Sequence, residues 1–332
     1  MRRAPSHAGS WYLADGARLG EQLDGWLAAA SAADKEEAAR GELGPPRILR
    51  ALIAPHAGYS YSGPAAAYAY KHLAALGTTG PGNRPTRVFL LGPSHHFYTR
   101  QCCLSGATHY GTPMGDIPVD VDGVVAELRE SGEFGPDMDP EQDEDEHSLE
   151  MHLPYILRCL QGPGNFTLVP ILVGNLDARA EERYGRLLAP YFADPANLFV
   201  ASSDFCHWGT RFRFTPWDHS LGPIWKSVEA LDRRGMDAVA SRDPARFRAY
   251  LEETENTVCG RHPIGVLMHA LKHAFAGEQG SQRPYGGDPY RVDWVRYEQS
   301  SRCETIADSS VSYASAIVTV PARTPTETPH EH

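Results

Sequence analysis

Residues 49–63 read Leu-Arg-Ala-Leu-Ile-Ala-Pro-His-Ala-Gly-Tyr-Ser-Tyr-Ser-Gly. The apolar run Leu49–Ala54 stops at Pro55, and His56 follows at once. Gly58 and a Tyr/Ser/Gly loop come next, and Pro64 opens a helical pattern. Strand, histidine at the strand end, Gly-rich loop, then helix is how an open α/β sheet sets a polar group in the crevice beyond its strands. The arrangement recurs where Arg87–Gly92 runs into Pro93-Ser94-His95-His96. It recurs again where Asn197–Ser202 runs into Ser203-Asp204-Phe205-Cys206-His207. Three apolar strands are therefore expected to deliver His56, His95 and the pair Asp204/His207 to one place, and we read that place as a metal-binding site. Adjacent residues at a strand end point in opposite directions, so His95 is assigned to the crevice and His96 to a supporting position.

The chain of 332 residues is 42% hydrophobic, enough for a substantial core, and carries a formal net charge of -11. That charge, with no basic cluster, argues against nucleic acid as a partner. Part of the acidic excess lies in Asp137–Glu146, read as a solvated loop. No apolar stretch follows Met1, and none reaches the roughly 18 residues of a membrane span. The expectation is a cytoplasmic protein, with a nuclear pool allowed. Its six cysteines form no C-x-x-C pair and are read as reduced thiols.

The periodicity predicts an α/β protein with a central mixed, largely parallel sheet flanked by helices, the length suffices for one large domain or two ordinary ones, and 321–332 reads as a disordered tail. Asp15 is placed to cap a helix carrying Leu19, Leu23, Trp26, Leu27 and Ala30. Residues 31–47 read as a surface connection and Thr78–Pro85 as a flexible loop. Further helices are expected over Pro64–Leu76, Asp120–Ser131, Ala178–Ala193, Asp243–Asn256 and Pro263–Phe275. Phe166–Gly174 is a strand whose Pro170 points to an edge or a bulge. The runs Tyr290–Tyr297 and Val311–Val320 are expected to pair antiparallel.

Two further stretches carry chemistry. In Glu146-His147-Ser148-Leu149-Glu150-Met151-His152, one helical turn sets His147 beside Glu150 and Leu149 beside His152. The turn serves either as a capped helix start or as a support that orients a metal ligand, through Glu150 and His152. In Cys259-Gly260-Arg261-His262, the thiol stands at a helix start, where the dipole favours its thiolate, although a lone cysteine is by default buried and inert. Arg261 suits an anionic substrate or a carboxylate partner.

Pro-His-Ala-Gly-Tyr at 55–59, Leu-Gly-Pro-Ser-His-His at 91–96 and Asp-Glu-Asp-Glu-His-Ser-Leu-Glu-Met-His-Leu-Pro-Tyr at 143–155 resemble the Memo family. So do Ser-Ser-Asp-Phe-Cys-His-Trp-Gly at 202–209, Cys-Gly-Arg-His-Pro-Ile-Gly-Val-Leu at 259–267 and Asp-Ser-Ser-Val-Ser-Tyr-Ala at 308–314. The resemblance covers roughly residues 6–320 in order, while the 78–85 loop and the tail resemble additions. It implies a single α/β domain over 1–320 with a fold similar to class III extradiol dioxygenases, and His56, His95 and Cys259 as ligands of one metal ion, Fe(II) or copper, zinc being admissible. It also implies that Asp204 and His207 line the same pocket, with His207 as the acid/base group. Tyr59, in the loop after His56, is also placed at the pocket. The family is linked to redox activity, cell motility, cytoskeletal signalling proteins and phosphorylated receptor peptides.

Ring-cleaving enzymes hold Fe(II) with two histidines and a carboxylate. A thiolate as third ligand is softer and itself oxidisable, so one-electron redox chemistry is expected here rather than efficient catechol cleavage. In that reading His207, positioned by Asp204, moves protons. Two alternatives stand beside it. One is a signalling adaptor that grips a phosphorylated peptide with Arg261, His207 and exposed Tyr59 and Trp208. The other is a metal buffer or carrier without turnover.

Overall fold

The computed structural model describes residues 1–38, 47–77, 84–160, 166–276 and 289–321. The first half of the chain runs β1 (Arg2–Arg3), α1 (Gly16–Ala38), β2 (Arg47–Ala54), α2 (Tyr59–Gly77), β3 (Arg87–Pro93), β4 (Cys102–Leu104), β5 (His109–Thr112), β6 (Gly115–Pro118) and α3 (Val124–Glu130). It continues with α4 (Pro140–Asp145), α5 (His147–Glu150), α6 (Leu153–Cys159), β7 (Thr167–Val173), α7 (Ala178–Ala193), β8 (Asn197–Ser202) and β9 (His207–Trp208). The last part holds α8 (Ile224–Ala240), α9 (Pro244–Thr254), α10 (Arg261–Ala274), β10 (Arg291–Gln299) and β11 (Ser310–Pro321).

The main sheet has the order β10-β11-β2-β8-β3-β7-β4, with β9 paired to β11, and a smaller sheet has the order β1-β5-β6. Its four central strands, β2, β8, β3 and β7, are parallel, while β10, β11 and β4 run antiparallel to their neighbours. This is the expected mixed, largely parallel α/β domain. The central strands are mostly apolar because both faces are covered. Right-handed crossovers explain the layers. The connection β2–α2–β3 steps across β8 in one direction, and β7–α7–β8 steps back across β3 in the other. α2 and α7 therefore lie on opposite faces. α1 and α6 join α2, and α10 packs against α7.

Because β8 fills the place between β2 and β3, the carboxyl ends of these three strands are neighbours. Val200 pairs with Leu52 on one side and Leu90 on the other. The strand-end histidines are thus brought side by side by sheet order, in the crevice where such folds bind ligands.

Several expectations are corrected. α2 begins at Tyr59, not Pro64, because the Gly58 carbonyl accepts from both Tyr61 N and Ser62 N and so starts the helix one turn early. α3 is shorter than Asp120–Ser131, since the Asp120 carboxylate is taken by Arg87. α1 runs through Ala38 into the expected connection, whose residues 39–46 lie outside the described set. Pro170 is not on an edge strand. β4 pairs with β7 only over Ile171–Val173, and Val119 bridges Leu168, so the missing N–H of Pro170 falls in the gap between them. The acidic stretch is not all solvated: Asp143 and Glu146 are each 1% exposed. Residues 78–83 of the expected loop and the tail beyond 321 lie outside the described residues.

Candidate metal centre

The crevice holds His56, His95 and His147, whose donor nitrogens lie within 4.8 Å of one another. His56 follows β2 directly. Its Nδ1 is 2.6 Å from Ser202 Oγ, and that hydroxyl donates to the Ser148 carbonyl at 2.8 Å. With its proton so committed, Ser202 accepts from Nδ1–H, which assigns the tautomer and leaves the lone pair of His56 on Nε2. Cys259 Sγ is 3.2 Å from that Nε2. His95 follows β3, and its Nδ1 donates to Glu146 Oε1 at 2.9 Å, which likewise leaves Nε2 free. Glu146 Oε2 also accepts from His95 N at 2.7 Å, and Oε1 from Ser148 N at 2.8 Å. Carboxylate and hydroxyl partners on Nδ1 that turn Nε2 inward are how metal-binding imidazoles are oriented. Among the described residues the donors that could hold a metal ion together are the three imidazoles of His56, His95 and His147, with the Cys259 thiol set against His56.

Two glycines allow the approach. A Cβ on Gly92 would stand 2.5 Å from Ser148 Oγ, so only glycine lets α5 lie against β3. A Cβ on Gly260 would stand 2.2 Å from the Ser202 carbonyl, so only glycine brings Cys259 to the end of β8.

The electrostatics favour neutral ligands. Burial, then the neighbouring imidazoles, pushes His56 well below the usual histidine range. Burial and His95 hold His147 down at about 3. Burial, then Asp204, pushes the Cys259 thiol up. The helix-dipole argument for a ready thiolate is thus outweighed by desolvation, and a cation in the crevice would be the stronger cause of its deprotonation. Burial raises Glu146, but the hydrogen bond from His95 and the charges of His95 and His147 outweigh it and hold the carboxylate at about 2.

The other anticipated residues divide. Asp204 is 3% exposed, and its Oδ1 accepts from His56 N at 2.9 Å, so it fixes the His56 backbone. It does not position His207, whose Nδ1 donates to the carbonyls of Phe205 at 2.9 Å and Thr257 at 3.0 Å. His96 is exposed, with its ring 5.8 Å from that of His147. Glu150 does not pair with His147. It accepts from Arg3 Nη1 at 2.7 Å, Tyr12 OH at 2.6 Å and His7 N at 2.9 Å. His152 is fully buried with Nδ1 2.7 Å from Tyr70 OH. Tyr59 is 3% exposed and donates to the Met151 carbonyl, and Trp208 is 1% exposed and donates to Pro216, so neither is the exposed aromatic expected. Arg261 lies apart, lining a pocket of about 280 Å³ with Glu181, Arg248 and His262. His147 was read only as a partner of Glu150. The signal that could have placed it is Glu146 just before it, a carboxylate that the turn folds back toward β3.

A family model described as Memo-like protein matches residues 3–317. Protein MEMO1 of Danio rerio is 45% identical over 319 residues, covering 96% of this chain and 97% of that protein. Protein MEMO1 of Homo sapiens is 43% identical with the same coverage. The memo-1 homolog of Caenorhabditis elegans is 41% identical over 321 residues, 96% of this chain and 83% of that protein. With nearly the whole domain matched, strand-end histidines and Cys259 loop included, the chain belongs to the Memo family.

Proposed function

We propose that this protein is a redox-active metal-binding protein that holds one iron or copper ion at His56, His95 and Cys259. The observation that carries the reading is that His56 and His95, each with Nδ1 anchored, bring donor nitrogens within 4.8 Å of each other, with the Cys259 thiol 3.2 Å from His56 Nε2. A bound iron or copper ion would supply one-electron exchange with dioxygen or peroxide. The protein residues do the rest. Ser202 and Glu146 hold the imidazoles in their tautomers. His207, with Nδ1–H committed to two carbonyls, keeps Nε2 to take up or release a proton. Asp204, already engaged with His56 N, is not placed as the carboxylate ligand of a ring-cleaving site. The adaptor reading loses two of its contacts, since Tyr59 and Trp208 are buried.

The test is the metal content of untagged protein, wild type and His95→Ala, by elemental mass spectrometry, with oxygen-dependent turnover followed in parallel. Near-stoichiometric iron or copper is expected in the wild type and a sharp loss in the variant. A wild type that takes up neither Fe(II) nor Cu(I) anaerobically would refute the metal reading. Stoichiometric metal with no turnover would refute the enzyme and leave a metal carrier.

A further inference from the structure

We propose that His147 is a ligand of the same metal ion, so that the centre is built from three imidazoles and the Cys259 sulfur. The inference rests on the metal-binding reading above. His147 has a side chain only 14% exposed, yet its nearest carboxylate oxygen, Glu146 Oε1, is 3.7 Å away. Among the described residues neither of its ring nitrogens has a hydrogen bond. His7, His56, His95, His152 and His207 each anchor a ring nitrogen within 2.9 Å. A half-buried imidazole fixed by packing, with no nitrogen committed to a hydrogen bond, is open to a ligand.

Its position is built rather than accidental. The ring is held between Trp11, 4.5 Å away, and His95, stacked at 4.4 Å and 20°. Trp11 is carried by the N-terminal segment, which His7 fastens to Glu150. Gly92 clears the path for the turn that bears His147. The ring centroid of His56 stands 5.4 Å from that of His147 and 5.1 Å from that of His95. A tetrahedral site with bonds of about 2.0–2.3 Å needs donors roughly 3.3–3.6 Å apart. The Cys259–His56 pair, at 3.2 Å, is already close to that spacing. The three nitrogens, within 4.8 Å of one another, close to it by movements of roughly 1 Å, the His147 ring tilting out of its stack, and the sulfur, which lies outside that cluster, comes in from the His56 side.

The donor count sets what each substitution does. Three imidazoles suffice for a divalent first-row ion, so Cys259→Ser retains Co(II) or Zn(II) when His147 is present. Without His147 the same change leaves two donors, and the site empties.

The experiment loads the full chain anaerobically with Co(II). Affinity is measured by chelator competition. The solvent-exchangeable, hyperfine-shifted imidazole N–H signals are counted by NMR. His147→Phe is the main variant, since its ring fills the slot between Trp11 and His95 without offering a donor. His147→Gln is the second, should Phe fail to fold. The expected result is three shifted N–H signals in wild type and two in the variant, with affinity lower by about 10–100-fold or more, and an empty site in His147→Phe/Cys259→Ser. A folded His147 variant with wild-type affinity and signal count would overturn the proposal while leaving the metal site standing. A wild type that binds no Co(II), Fe(II) or Cu(I) would overturn the metal reading itself, and this inference with it.

Discussion

Replacing Gly92 by alanine should damage the proposed metal centre without touching any of its proposed ligands. The new Cβ would lie 2.5 Å from Ser148 Oγ and 2.9 Å from Leu149 Cδ2. Comfortable carbon contacts are about 3.5–4.0 Å, so α5 must retreat by roughly 1 Å. Ser148 cannot yield freely. Its hydroxyl donates to Pro93 O, its N–H to Glu146 Oε1, and its carbonyl accepts from Ser202, each at 2.8 Å. Leu149 is fully buried. Overpacking costs about 1–3 kcal/mol and a lost hydrogen bond about 1 kcal/mol more. Together they lower Tm by on the order of 3–6 °C in a chain of this length. The same retreat shifts Glu146, the anchor of His95, so metal affinity falls by about 10–100-fold. Gly25→Ala is the control. A Cβ there meets nothing within 4 Å, on an exposed position of α1. It should raise stability by about 0.5–1 kcal/mol through helix propensity. Differential scanning calorimetry of the metal-free protein and chelator competition read both effects. If Gly92→Ala matched Gly25→Ala in Tm and metal affinity, the account of how α5 builds the site would be wrong.

Asp232, fully buried under Tyr297 OH and Asn256 Nδ2, is pushed by burial from 3.8 to about 6. The folded chain then binds the proton more tightly than the unfolded chain, so stability falls as pH rises from about 4 to 6. At about 1.36 kcal/mol per pH unit the loss approaches 3 kcal/mol. Denaturant melts of wild type and Asp232→Asn should show this slope in the first and not in the second. Arg3→Met strands Asp143 and Glu150 in the interior and should cost about 3–5 kcal/mol by urea unfolding; a loss under 1 kcal/mol would argue against the pairing as drawn. His207→Gln should keep the metal and lower oxygen-dependent turnover by about 10²–10⁴-fold. Loss of metal from that variant would instead make His207 a ligand.

The parallel core was legible because its strands are short aliphatic runs that end in Pro-His, Pro-Ser-His and Ser-Ser-Asp, and both period and punctuation are local. What places β8 between β2 and β3 is not local. It follows from two crossovers that run in opposite directions, and no window of sequence records their lengths against the sheet. The helix starts at Tyr59 and Val124 were misplaced for a similar reason. A glycine carbonyl that accepts two N–H groups, and an arginine 33 residues upstream that claims Asp120, are decided by tertiary position.

The site shows the same division more sharply. His56 and His95 announce themselves because a strand carries each to its end. His147 sits on a four-residue helix in an acidic stretch, where charge density reads as solvent exposure. Yet Glu146 and Asp143 in that stretch are interior groups, each matched to a cation or an N–H from β1 or the β3 loop. A carboxylate run is solvated only if no donor reaches it. Here Arg3 and His95, distant in sequence, turn it into the wall of the crevice. The reach of α5 toward β3 then hangs on the missing side chain of Gly92, which is why the two strand-borne histidines were readable from the residues and the third required the fold.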